Sequence, residues 1–284
     1  MTPARAGRLA AIVLSAWART GSVHAQQAPL PPYLADRGPG IPTSLFGTYV
    51  ERHEMLIYPF YEYTKSSEYE YKPSEFGYTG DEDFLGSTVE QEYLVYFGYG
   101  ITERVAVELE VAIYATASFD KAPDDTSNVP SNLEESGLGD LDMQVRWLWN
   151  QETAHRPQMF SFFELTPPLQ KNKTLIGTGD WEASVGFGVI RGYGWGTITG
   201  RVAIAWDGAD SKIDLGEYAF EYLKRTSPHW RFVGTLEGET DEVSIIGEVQ
   251  WSFASFAFLK LNCGVGLTPK APDIAPEVGI LFHF

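Results

Sequence analysis

Alternation of apolar and polar residues with a period of two is the dominant pattern from His53 to the end of the chain. In residues 104–119 every odd-numbered position is apolar, whereas the even-numbered positions include Glu108 and Glu110. This pattern predicts a β-strand. Ordinary strands have about five or six residues, and a strand that crosses a membrane needs about 9–11. The length of this run therefore favours a membrane-spanning strand.

The same alternation recurs along the chain, and short connections alternate with longer, polar ones over most of it. Short examples are 100–103 and 226–229, and long ones are 120–135 and 167–179. We predict twelve strands, near 53–64, 87–99, 104–119, 136–149, 158–166, 180–191, 196–206, 216–225, 230–237, 242–253, 256–266 and 276–284. An even number of strands with short turns at one end is typical of outer-membrane barrels. Ten or fourteen strands remain open, and alternation alone also fits a soluble β-sandwich.

The N-terminus predicts secretion. Arg5 and Arg8 precede an apolar stretch at residues 9–18, and small residues lead to a cleavage point after Ala25. Ten apolar residues are too few to span a bilayer as a helix, and no longer apolar run follows. The predicted organisation is a signal peptide at 1–25, a Pro-rich periplasmic leader at 26–44 and an all-β, antiparallel transmembrane β-barrel at 45–284.

The net charge and the composition limit the classes of molecule that the protein can bind. The formal net charge is −17. Nucleic acid is therefore excluded as a partner, because phosphate binding requires a positive surface. In a barrel, a negative lumen favours cations. Aromatic residues make up 14% of the chain, and in a barrel they gather at both membrane interfaces. Cys263 is the single cysteine and cannot form an intrachain disulfide.

Parity assigns most charged strand residues to the barrel interior, since a charge in mid-bilayer costs about 2–4 kcal/mol. Arg231 and Lys260 share this parity. The predicted lumen-lining residues are Glu108, Glu110, Asp140, Asp142, Arg146, Glu182, Arg201, Glu217, Glu221 and Glu248. We expect this acidic lumen to prefer cations. Paired side chains could also plug it, so an open and a plugged lumen are both retained.

The outer surface has two further signals. Trp147, Trp149 and Trp230 lie near predicted short turns, whereas Trp181 and Trp206 lie near long loops. Such rings prefer the headgroup region of a bilayer, so outer-membrane lipid is an expected partner.

The C-terminal residues alternate outward and end on an aromatic residue, as in the signal by which the barrel assembly machinery recognises its clients. The residues of this predicted assembly signal are Val278, Ile280, Phe282 and Phe284.

Catalytic motifs are poorly supported. His53, His155, His229 and His283 show no metal-ligand spacing and no visible pairing with a serine nucleophile. We therefore expect no enzyme, no cofactor and no metal. Lipase- or protease-type barrel enzymes remain the alternative. A calcium site at Asp120, Asp124 and Asp125 is a weaker possibility than a solvated acidic loop.

Two short runs and the terminal residue carry a family resemblance. Residues 137–141 read GLGDL, residues 177–181 read GTGDW, and the chain ends on Phe284. From about Leu45 onward, the chain resembles the MetA-pathway of phenol degradation family of outer-membrane transporter-like proteins. The resemblance implies a porin-like transporter in the outer membrane of a Gram-negative bacterium. It implies passive passage of small molecules, aromatic or apolar ones included, and has no catalytic residues to carry over.

Overall fold

A computed structural model describes residues 30–37, 50, 52–209 and 211–284. Within them lie two short 3₁₀ turns, Pro32–Leu34 and Pro73–Phe76. The strands are β1 Met55–Tyr71, β2 Phe84–Gly100, β3 Val105–Lys121, β4 Asn132–Gly137, β5 Leu141–Asn150, β6 Gln158–Thr166, β7 Glu182–Tyr193, β8 Gly196–Asp207, β9 Lys212–Arg225, β10 Trp230–Glu239, β11 Glu242–Ala254, β12 Ala257–Gly266 and β13 Ala275–His283. Among these residues, no helix is long and apolar enough to cross a membrane.

The sheet closes on itself as a twelve-stranded antiparallel barrel. The first strand pairs with both β2 and β13, with Leu56 opposite His283 and Glu62 opposite Glu277. Both β4 and β5 pair with β3, at 115–120 and 105–111 respectively, so together they form one wall strand. The predicted fold class is confirmed. A barrel leaves no unpaired edge, which a bilayer requires.

The wall strand predicted at 136–149 is divided in two and begins earlier than expected. Residues 138–140 interrupt it between β4 and β5. The backbone ladder continues through the break, because Gly139 N donates to Ala112 O and Ala112 N donates to Asp140 O. The wall therefore stays closed at this point.

The two ends of the barrel differ in their connections. At one end, here called the turn end, the connections are short, as at 194–195, 226–229 and 255–256. The first strand also begins there and the last one ends there. At the other end, the loop end, connections such as 122–131 and 167–181 are longer. The connection between β10 and β11 is an exception, with only two residues.

The outer wall is apolar and ringed by aromatic residues. Large outward side chains are 36–69% exposed, among them Val185, Ile204 and Phe220. Near the turn end, Trp230 stacks with Trp251 and Tyr193 stacks with Trp195. The exposed Trp181 and Trp206 lie near the loop end. An apolar belt between two aromatic girdles matches the surface that acyl chains and headgroups require.

One sequence expectation fails inside β3. The alternation placed all odd-numbered residues from 105 to 119 on one face, but a β-bulge displaces Ile113 from the ladder. A bulge inserts one unpaired residue and reverses the side-chain parity beyond it. Tyr114 is therefore exposed, whereas Ala115 and Phe119 are fully buried.

The inward turn of Phe119 creates a small core beyond the barrel wall, at the loop end. Phe119 packs edge-on against Tyr71 and Phe76, with ring centroids 4.9 and 4.8 Å away. Val129 completes this loop-end core. The long hairpins β1–β2 and β3–β4 are thereby held together above the barrel.

The predicted signal peptide lies outside the described residues. Of the predicted leader, residues 30–37 are described. Residues 31–37 belong to the same compact unit as the barrel.

Candidate functional site

The lumen contains two adjoining cavities toward the loop end. One has a volume of about 530 Å³ and the other about 400 Å³. Glu110, Glu217 and Glu239 line both, so the two share a wall. The cavities reach Glu182 and Glu242, at the loop ends of their strands. We call this part of the lumen the vestibule.

Acidic side chains dominate the vestibule. Fourteen carboxylates but only four cationic side chains line the two cavities. The cations are Arg146, Arg201, Lys212 and Lys260. The carboxylates are those of Glu62, Glu108, Glu110, Asp142, Glu164, Glu182, Asp207, Asp214, Glu217, Glu237, Glu239, Glu242, Glu248 and Glu277.

Strand register brings the acids of neighbouring strands side by side. Glu62 lies opposite Glu277 on one side and Glu92 on the other. On the strands that follow β2, Glu110 of β3 lies opposite Asp142 of β5. Within the described residues, no ion pair joins these five carboxylates to a cation. Like charges directly opposite repel each other, so this arrangement concentrates negative charge on one part of the wall.

The floor of the vestibule is built differently. Three carboxylate–cation pairs lie there: Glu108 Oε2 with Arg146 Nη2 at 2.9 Å, Glu217 Oε2 with Arg201 Nη2 at 2.6 Å, and Glu248 Oε2 with Lys260 Nζ at 3.2 Å. The three cationic side chains are at most 5% exposed. Buried charges must be paired in this way, because an isolated charge away from water is very costly.

Each of these cations also lies over an aromatic ring. The Arg201 guanidinium is 4.1 Å from the Phe162 ring centroid and that of Arg146 is 5.5 Å from Phe160. Lys260 Nζ is 4.6 Å from the Tyr58 ring. Ring faces attract cations, and the attraction strengthens away from water. We call the three ion pairs and three rings the paired layer.

Glycines on β7 make room for two of these rings. Gly188 lies opposite Phe160 and Gly186 opposite Phe162. A Cβ at either glycine would come within 2.2 Å of the facing ring. The rings therefore lie flat against the glycine backbone, and their free faces are available to the arginines.

Below the paired layer, toward the turn end, buried side chains crowd the lumen, and they include the polar groups of Thr199, Arg231 and Gln250. The apolar and aromatic ones are at most 5% exposed and are Leu56, Tyr96, Leu148, Phe258 and Leu281. They point inward from strands on both sides of the junction between β1 and β13. The two acidic cavities thus lie toward the loop end, and the side chains below the paired layer are buried.

The predicted lumen-lining residues fall into four groups. Glu108, Arg146, Arg201, Glu217 and Glu248 belong to the paired layer, while Glu110, Asp142 and Glu182 line the vestibule. Glu221 is buried, at 1% exposure. Asp140 lies at the wall break, where its Oδ1 accepts a hydrogen bond from Thr178 N at 2.7 Å.

Sequence reasoning did not select the aromatic part of the paired layer. The sequence does not assign Tyr58, Phe160 and Phe162 to the lumenal or the lipid-facing side, because the strands around them mix apolar and polar residues on both parities. A usable signal was present in Gly186 and Gly188, two inward glycines that require large neighbours across the ladder.

The remaining candidate residues have local partners. Asp125 Oδ1 lies 3.4 Å from Lys121 Nζ, and Asp125 accepts hydrogen bonds from Tyr71 and Ser127. No group of three or more His, Cys, Asp or Glu residues within the described ranges is placed to hold a metal. His229 Nδ1 lies 3.0 Å from Ser252 O.

The predicted assembly signal lies on β13 and just beyond it. Val278, Ile280 and Phe284 are 36–42% exposed on the outer face. The backbone of Phe284 exchanges two hydrogen bonds with Met55 of β1. Recognition by the assembly machinery remains a prediction.

Comparisons with known proteins bear on the fold. No protein-family model and no curated protein matches the chain. The solved structure of an outer-membrane channel from Pseudomonas putida F1 is 12% identical, with a TM-score of 0.58, covering 86% of this chain and 100% of that one. At this identity the likeness shows the fold alone. Together with the closed barrel and its apolar belt, it places the chain in the bacterial outer membrane.

Two weaker structural likenesses lie below a TM-score of 0.5 and carry no argument. The translocator domain of the autotransporter NalP from Neisseria meningitidis is 9% identical, covering 83% of this chain and 90% of that one, with a TM-score of 0.47. The toluene transporter TbuX from Ralstonia pickettii is 8% identical, covering 82% and 90%, with a TM-score of 0.44.

Proposed function

We propose that this barrel is a passive outer-membrane channel for small molecules with a preference for cations. The excess of carboxylates over cationic side chains in the vestibule carries the proposal. A cleft lined by one sign of charge, with low-dielectric walls, concentrates ions of the opposite sign. The paired layer contributes little to this field, because its charges neutralise each other.

The test is ion selectivity in planar bilayers. Glu110→Gln combined with Asp142→Asn removes two facing vestibule carboxylates. We expect the wild-type protein to pass cations in preference to anions, and the double variant to lose about half of its reversal potential in a tenfold salt gradient. Glu103→Gln, on an exposed turn at the other end, is the matched control and should change nothing. Anion preference in the wild type would refute the proposal.

The choice of Asp142 follows from the geometry. The sequence alone suggests Glu108→Gln together with Glu110→Gln, since both share one parity. Glu108 is the partner of Arg146 in the paired layer, so its neutralisation removes the charge that balances a buried arginine. A loss of selectivity in that variant could then come from a distorted floor.

We further propose that the barrel belongs to the family it resembles and that its cargo includes small aromatic molecules. We infer membership of the phenol-degradation family from the runs at 137–141 and 177–181 and the terminal Phe284. The resemblance alone supports aromatic cargo, because the rings of the paired layer are buried beneath their cations. Efflux of phenol and of a sugar from proteoliposomes, each measured above the efflux from protein-free liposomes, separates the cases: a larger protein-dependent rate for phenol supports aromatic cargo, and equal protein-dependent rates contradict it.

A structural barrel with a plugged lumen is the second candidate. The crowded, buried side chains below the paired layer favour it. Liposome swelling distinguishes the two, because a plugged barrel passes no solute. An enzyme of lipase or protease type is the more remote alternative, and an esterase assay on folded protein, with and without calcium, tests it.

A further inference from the structure

Residues 31–37, here called the mouth segment, dock onto the turn end of the barrel through a buried arginine. Arg37 Nη2 lies 2.6 Å from Glu152 Oε2, and Arg37 Nη1 donates to Gln158 Oε1 at 2.9 Å. The Glu152 side chain is 1% exposed, and its Oε1 accepts a hydrogen bond from Gly192 N at 2.8 Å. Burial raises the pKa of Glu152 and lowers that of Arg37, and their ion pair opposes both shifts.

A second contact, with the charges reversed, lies beside the ion pair of Arg37 and Glu152. Asp36 Oδ1 lies 3.2 Å from Lys224 Nζ and accepts a hydrogen bond from Arg225 N at 3.0 Å. The mouth segment thus presents an acid to the basic end of β9 and a base to the acidic turn before β6. Adjacent charges of opposite sign fix the register of docking, because a shifted segment would oppose like charges.

The mouth segment lies against the inward side of the barrel wall. Gln158 and Gly192 belong to the inward-facing parity of β6 and β7. A Cβ at Gly192 would lie 1.7 Å from Tyr33 O, so any side chain at that position would displace the segment. The chain therefore occupies part of the opening through which a solute would leave the lumen.

We propose that the mouth segment is a tethered gate, closed by the ion pair of Arg37 and the contacts of Asp36, that limits passage at the turn end. The inference rests on the proposed channel function, since a gate requires a path. The contacts join the turn before β6 and the turn-end residues of β6 and β9 to a segment with only one 3₁₀ turn of its own. Few groups must therefore be released for the segment to swing away while the barrel stays closed.

The experiment measures docking and passage separately in the same protein. Cys263→Ser removes the only native thiol, and Leu34→Cys places a thiol at a half-buried position of the mouth segment. In this background, Arg37→Gln removes the ion pair, and a Gly/Ser replacement of 31–33 and 35–37 removes the side-chain contacts while the thiol at position 34 is kept. Arg156→Gln, an exposed arginine on the same turn as Glu152, is the matched control. Maleimide labelling reports release, single-channel recording reports passage, and heat modifiability verifies the barrel.

With Arg37→Gln, labelling should accelerate at least about tenfold. The acceleration should be smaller than for the complete loss of a buried ion pair, because Arg191 Nη1 remains 3.5 Å from Glu152 Oε1. The open fraction should rise with it, and most in the Gly/Ser variant. Unchanged labelling refutes docking, whereas faster labelling with an unchanged open fraction refutes the gate and leaves the channel standing. Absence of current in every variant refutes the proposed channel and, with it, the gate.

Discussion

The vestibule and the paired layer contain the same kinds of side chain but treat charge in opposite ways. In the vestibule, Glu62 and Glu277 face each other across neighbouring strands and line a cavity of about 400 Å³. In the paired layer, Glu108 is 3% exposed and lies against Arg146. The difference shows that one alternating pattern builds both regions, and that solvent access decides whether a lumenal carboxylate needs a partner.

The largest effect should come from breaking a pair in the paired layer. Arg146→Met leaves Glu108 buried and without its partner, and removes the cation above Phe160. We expect the free energy of unfolding to fall by about 3–5 kcal/mol, the range for breaking a buried ion pair. Glu110→Gln in the vestibule should change it by less than about 1 kcal/mol. Urea unfolding of the refolded barrel in lipid vesicles measures both.

A second substitution isolates the charge from the lost packing. Glu108→Gln added to Arg146→Met removes the stranded carboxylate, so part of the lost stability should return. If Arg146→Met is no more destabilising than Glu110→Gln, then the two halves of the lumen do not differ in this way.

Most of the wall was predictable from sequence, because period-two alternation is a local property. The twelve wall strands and the inward direction of Glu108 and Arg146 both follow from parity. Their pairing does not follow, since it depends on the register between β3 and β5, which places Arg146 opposite Ala106 and diagonal to Glu108. Register is set by the whole ladder and its turns. The mouth segment was equally hidden, because its contacts join residues more than a hundred positions apart.

The bulge in β3 was invisible for a different reason. Apolar residues occupy the odd positions on both sides of Ile113, so the sequence gives no sign that the parity reverses. Only the contacts of Phe119 in the loop-end core account for the reversal.

The next prediction concerns the loop-end core, which Phe119 enters because of the bulge. Phe119→Ala should destabilise the loop-end core by about 3 kcal/mol, because a buried ring is lost there. If Phe119 instead faced the lipid, as an unbroken alternation predicts, its replacement by alanine would cost far less stability. Limited proteolysis of the loop 122–131 in folded protein measures the effect. Tyr114→Ala is the control, since its exposed ring lies on the outer face. Equal protease resistance of Phe119→Ala and wild type would contradict the buried position of Phe119 and favour the outward one.

The smallest effect tests whether the paired layer is tightly packed. Gly188→Ala adds one methyl group at 2.2 Å from the Phe160 ring, which must then tilt away from the wall and disturb Arg146 above it. Overpacking of this kind costs about 1–3 kcal/mol. At Gly247 nothing lies within 4 Å of an added Cβ, so Gly247→Ala should change stability by no more than about 0.5 kcal/mol. Urea unfolding in vesicles compares them. Equal stabilities of the two variants would mean that the floor of the vestibule yields as readily as the lipid-facing wall, and the contrast between rigid floor and open vestibule would fail.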